Sequence, residues 1–164
     1  MKRVGLVIVL LQTAFVVTAW CADLSGFVGK SVQDSVGGYQ LFAVPDLKKS
    51  FIAAFGSDRY QRILLQMQGD GIKSVADQEL GKILVTGQCE HHNCPNQSVL
   101  IAKLDGTVVG LCLSDVAPGN PNQTVIEWSG LGWSLKRTAP DSNCRSDTPE
   151  PEVAAFKAAR GKTM

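Results

Sequence analysis

Two adjacent histidines lie between two cysteines in the hexapeptide Cys89-Glu90-His91-His92-Asn93-Cys94. Imidazole titrates closest to neutral pH among ordinary side chains, and it both donates and accepts hydrogen bonds. Three chemistries are open to such a cluster: a metal held by thiolates and imidazoles, an acid–base pair of Glu90 with a histidine, or a disulfide-stiffened loop that carries its imidazoles into another molecule's cleft. Zinc is disfavoured because a single hexapeptide does not readily place four ligands tetrahedrally, and zinc sites draw pairs from separated segments. No other histidine exists in the chain to complete such a site. For catalysis there is no Gly-x-Ser-x-Gly elbow and no His-Glu-x-x-His motif. Neighbouring loop residues point apart, and an exposed loop offers no cleft to tune their pKa values. No enzyme activity, metal or cofactor is therefore expected. A small metal-dependent hydrolase using Glu90, His91 and His92 stands as the third reading, behind two binding functions.

The compartment decides between thiol and disulfide. Lys2 and Arg3 precede an apolar run from Val4 to Leu11 that resumes at Ala14-Phe15-Val16-Val17, and small Thr18 and Ala19 follow. This is the pattern of a secretory signal peptide, expected over residues 1–22. The unbroken apolar stretch stops at Gln12, short of the roughly 20 residues that span a bilayer. Stable membrane insertion is not expected, and bulky Trp20 argues against lipid attachment at Cys21. Cleavage near Cys21 or Ala22 removes one of five cysteines and leaves Cys89, Cys94, Cys112 and Cys144. Four cysteines in an oxidising compartment allow three pairings. We favour Cys89–Cys94 as a local clip and Cys112–Cys144 as a long tie. The longer loop removes more entropy from the unfolded chain, so the short clip serves shape before stability.

Residues 23–164 then form one domain, large enough to bury a core. Losing Lys2 and Arg3 takes the 16 basic residues to 14, against 15 acidic. With no basic stripe and no RNA-reading aromatic motif, nucleic acid is not an expected partner.

The elements that must position the hexapeptide follow from periodicity. Asp46 is placed to cap a helix through Phe55, with Leu47, Phe51 and Phe55 on one stripe and Gly56 ending it. Ser57 or Asp58 caps a second helix, where Tyr60, Ile63, Leu64 and Met67 recur at helical spacing up to Gly69. Strands are expected at 82–88, 97–104 and 107–113, the last two joined by the hairpin signal Asp105-Gly106. A further pair, 124–128 and 133–137, flanks Ser129-Gly130-Leu131-Gly132. The expected class is α+β: a mainly antiparallel sheet of about five strands, helices packed on one face, and a protruding disulfide-closed loop. From about residue 140 a polar tail is expected, within which Glu152 to Arg160 suits a short helix with Val153 and Phe156 inward.

The run Gly81-Lys82-Ile83-Leu84-Val85-Thr86-Gly87-Gln88, the Cys-x-x-His-x-Cys loop and the hairpin ending Val109-Gly110-Leu111 together resemble the inhibitors of vertebrate lysozyme, the Ivy family. The resemblance is best over roughly residues 46–113. It implies a periplasmic protein whose loop emerges from a β-sheet backed by helices. By position His92 matches the inhibitory histidine, and Cys89 and Cys94 match the bridged pair. His91 stands where proline is common, and Asn93 where aspartate is frequent, which removes a charge. Cys112, Cys144 and the C-terminal tail have no counterpart in the pattern.

The function so implied is inhibition of C-type lysozyme, or of lytic transglycosylases acting on the same glycan, with Glu90, His91, His92 and Asn93 as target-binding residues. The alternative is a periplasmic immunity or cell-wall-binding protein that neutralises another toxin. Relatives of this kind commonly form homodimers, and Val125, Trp128, Leu131 and Trp133 offer apolar material for one. The competing use of both tryptophans is to pack the sheet against helices.

Overall fold

The structure, a computed structural model, describes residues 22–163 except 67, 70, 91–92, 140–142, 145 and 147. The side chains at 68, 90, 93–95 and 139 also lie outside the description, as does the expected signal segment up to residue 21. Two short 3-10 turns, Leu24–Phe27 and Leu41–Ala43, bracket a small hairpin of β1 (Ser35–Val36) and β2 (Tyr39–Gln40). Then come α1 (Pro45–Phe55), α2 (Ser57–Leu65), β3 (Gln68–Gly69), β4 (Lys73–Asp77), β5 (Gly81–Glu90), β6 (Asn93–Lys103), β7 (Val108–Ala117), β8 (Asn120–Gly130), β9 (Trp133–Ala139) and α3 (Pro149–Gly161). The class is α+β, as the periodicity predicts.

Both predicted helices form, with their starts shifted and with α2 ending at Leu65, short of the expected stop at Gly69, which belongs to β3. Pro45 occupies the first turn of α1 and Val44 the cap position, because proline's fixed φ and missing N–H suit the first helical residue. Asp46 is thereby one residue inside, where its carboxylate accepts the Ala22 N–H at 3.2 Å. Gly56, at φ 88°, turns α1 directly into α2. Only glycine enters that region without strain. Phe51 packs edge-on against Phe55 and Tyr60, with ring centres 5.4 and 5.7 Å apart. Burial pushes the Tyr60 phenol above its ordinary pKa, and its hydroxyl donates to the Phe42 carbonyl at 2.6 Å.

Among the described residues the sheet has seven strands rather than about five. Strands β5 to β9 form an antiparallel meander, and the short β3 and β4 share the outer edge of β5. The two missed strands carry little signal: β3 is two residues long, and β4 reads Lys-Ser-Val-Ala-Asp. Asp105-Gly106 makes its tight turn, with Gly106 at φ 86° and the Asp105 carboxylate accepting the Thr107 N–H. The later turn is shorter than expected, since Gly130 pairs with Trp133 and leaves only Leu131-Gly132 between them.

The expectation of helices on one face is corrected: the sheet is covered on both. Alternate residues point to opposite faces. Leu84, Leu100, Ala102, Leu111 and Leu113 meet α1, α2 and the N-terminal segment through Leu24, Phe27, Leu41, Phe42, Leu47, Phe51, Tyr60 and Ile63. Ile83, Val85, Val99, Ile101, Cys112, Ile126 and Trp128 face the other way and meet Val153, Phe156 and Ala159 of α3. The C-terminal segment, expected as a largely polar tail, therefore supplies the cover of the second core. It includes the expected inward placement of Val153 and Phe156. Cys112 and Cys144 form the expected long tie, 32 residues apart in sequence, and fasten the approach to α3 onto β7. Lys157 reaches Asp77 at 3.1 Å and Arg160 pairs with Glu79, holding α3 against the β4–β5 turn.

Trp128 and Trp133 both pack on Phe156, with ring centres 6.1 and 5.4 Å away. They serve the α3 face, while Leu131 stands 81% exposed at its turn.

Candidate functional site

The hexapeptide lies at the end of the β5–β6 ladder. β5 continues to Glu90 and β6 begins at Asn93, so both strands run further toward the tip than the spacing suggests. Cys89 pairs with Gln97, the register then shifts, and the ladder resumes at Glu90 opposite Asn93. Pro95 lies in the irregular stretch of β6. Having no N–H, it cannot donate to a ladder, which accounts for a break at this point. Only positions 91 and 92, which lie outside the described residues, separate the paired ends of this hairpin in sequence.

Its base is braced from both sides. Cys89 pairs with Gln97 of β6 on one edge and with Gln68 of β3 on the other. β3 approaches closely there: a Cβ added at Gly69 would sit 2.3 Å from the Gly87 carbonyl oxygen. Any larger residue would push β3 away from β5. Cys89 is 1% exposed and engaged in a disulfide. Cys112 and Cys144 are bonded to each other, so neither is its partner. The expected partner, Cys94, has its side chain outside the described residues, as do Glu90 and Asn93, and His91 and His92 lie outside them entirely.

Beneath the tip, on the α1–α2 side, sits a polar row that the sequence reading passes over. Gln88 and Ser98 are cross-strand partners, Thr86 follows two residues down β5, and all three are fully buried. Among the described residues, both side-chain polar atoms of Gln88, the hydroxyls of Thr86 and Ser98, and Oε1 of buried Gln66 have no hydrogen-bond partner. The signal is present in the sequence: Thr86 and Gln88 follow at two-residue steps from Leu84, on the face of β5 that is apolar at Leu84. Such groups cost about 1–3 kcal/mol each when left unsatisfied. A sheet selected only for stability would carry apolar residues here.

α2 locks this region from above. Arg59 pairs with Glu127 of β8, and Arg62 donates to Asp115 at 2.5 Å and to the Ser114 carbonyl at 3.2 Å. The two arginines pin the helix across β7 and β8 near the same end of the sheet as the tip. Among the described residues no three His, Cys, Asp or Glu side chains gather to hold a metal; His91, His92 and Cys94 fall outside that set. No helix among the described residues is long and apolar enough to cross a membrane.

Comparison with protein-family models, with curated proteins and with solved structures finds no match to this chain.

Proposed function

We propose that the protein is an exported, periplasmic inhibitor of C-type lysozyme that blocks the enzyme's cleft with the tip of the β5–β6 hairpin. The observation that carries the reading is the Cys89-x-x-His92-x-Cys94 sequence motif, which begins where Cys89 is paired on both edges, with Gln68 and with Gln97. C-type lysozymes use two carboxylates flanking the scissile bond, one of them kept protonated. The imidazole of His92 has the donor and acceptor capacity to hydrogen-bond to both. A Cys89–Cys94 bridge removes the ordering cost that a flexible loop would bring to binding.

Lytic transglycosylases cleave the same glycan with a catalytic carboxylate, and the same projection suits them. The deciding experiment mixes the purified chain with lysozyme over a suspension of cell walls and follows turbidity. Stoichiometric protection of the walls is expected from the oxidised protein. Undiminished clearing at a molar excess of the chain overturns the proposal for lysozyme, and the same assay with a transglycosylase tests the second target.

A further inference from the structure

α3 lays two kinds of side chain on the sheet. Val153 and Phe156 fill the centre of the second core. The stripe nearer the sheet's free edge runs Ala155, Ala158, Ala159 and Lys162, which is helical spacing, and it carries only methyl groups until Lys162. Opposite stand Trp128 of β8 and its cross-strand partner Leu135 of β9, with Arg137 two residues along the same face. Methyl groups facing an indole do not fill the space between helix and edge strand. A cavity of about 130 Å³ remains, bounded by these seven residues.

The walls are apolar and the rim is cationic. Trp128 is 4% exposed, whereas Arg137 and Lys162 are both exposed. Lys157 and Arg160, on the same helix as Lys162, are committed to Asp77 and Glu79. Arg137 and Lys162 have no ion-pair partner among the described residues. We propose that this cavity binds a small amphiphilic anion: an aryl or short branched apolar group carrying a carboxylate.

Size favours that class, since an apolar protein cavity of about 150 Å³ accepts benzene. The apolar end lies against Trp128 and the alanine methyls. The carboxylate meets the planar guanidinium of Arg137, whose paired N–H groups match two carboxylate oxygens, while Lys162 adds a second charge. The carbonyl end of α3 opposes an anion with about half a unit of negative charge. Two unpaired cations outweigh it. The site is on the α3 face and stands or falls independently of the hairpin tip.

Phenylacetate serves as probe, titrated into the full oxidised chain by calorimetry and by tryptophan fluorescence, with toluene and inorganic phosphate as comparison ligands. One saturable site for phenylacetate is expected. Ala158→Leu, at an exposed helical position that tolerates leucine, should abolish binding while thermal unfolding stays unchanged. Arg137→Gln combined with Lys162→Gln should weaken binding about tenfold, as loss of charge-assisted hydrogen bonds does. Absence of saturable phenylacetate binding, full binding by Ala158→Leu, or equally tight binding of toluene or phosphate would overturn the proposal.

Discussion

The ring of Phe156 lies directly over Gly110: a Cβ placed on that glycine would stand 2.5 Å from Cε2 of the phenylalanine. Gly130 stands in the same relation to Trp133, whose Nε1 would be 2.4 Å from an added Cβ. The two glycines give the α3 face recessed floors on which two aromatic rings rest, 5.4 Å apart. Gly110→Ala should therefore destabilise the fold by about 1–3 kcal/mol through overpacking, read as a lower denaturant midpoint at unchanged slope. A neutral result would mean that α3 is free to move off the sheet.

Removal of the long tie should weaken the fold in a calculable way. Replacing Cys112 and Cys144 together by serine opens a loop closed over 32 residues, for which chain entropy alone gives about 4 kcal/mol. Equilibrium unfolding of the double variant beside the oxidised parent measures this. A loss below about 1 kcal/mol would show that α3 holds itself in place.

Acid should act on the α3 anchor. Asp77 accepts the N–H groups of Leu80 and Glu79 and the Lys157 ammonium. These bonds, the one from Leu80 first, hold its carboxyl below the ordinary value of 3.8. A carboxylate depressed in the folded state lends stability that is fully present above its unfolded pKa and is lost as pH falls through the folded one. The stability of the parent should fall more steeply than that of Asp77→Asn below about pH 4, measured by urea midpoints across a pH series. Identical pH slopes would remove Asp77 from the account.

At the hairpin tip, His92→Ala should raise the inhibition constant toward lysozyme by the equivalent of about 2 kcal/mol, the effect of truncating a central, desolvated contact. His91→Ala should matter less, because its position matches one where the resembling family tolerates a residue without hydrogen-bonding groups. Both variants should unfold at the parent's midpoint. Equal inhibition by parent and His92→Ala would sink the proposed mechanism.

The strands β5 to β9 and all three helices were legible because each carries its own period and its own turn residues. Asp105-Gly106 is the clearest case, with apolar strands on either side. The two-faced burial was harder to read. Ile83-Leu84-Val85 and Val99-Leu100-Ile101-Ala102 are unbroken apolar runs, the pattern of strands covered on both sides. One apolar stripe on α1 and α2 already provides a cover, and proline and charge obscure the second one in the segment that holds α3. Val153 and Phe156 showed an inward stripe there, yet only the glycine floors and Cys112–Cys144 give it a place to dock. The hexapeptide was visible by residue type alone. The bracing of Cys89 by β3 was not, because a two-residue strand has no periodicity to detect.

The two cores also differ in when their members leave the ribosome. Among the described residues, every buried member of the α1–α2 core falls between Leu24 and Leu113, whereas the other core waits for Val153, Phe156 and Ala159. A chain emerging from its N-terminus can thus bury one side of the sheet while Ile83, Val85, Val99 and Ile101 still face solvent. During that interval the nascent protein displays a broad aliphatic surface of the kind that recruits chaperones or self-associates. Val153, Phe156 and Ala159 are the residues that end that exposure.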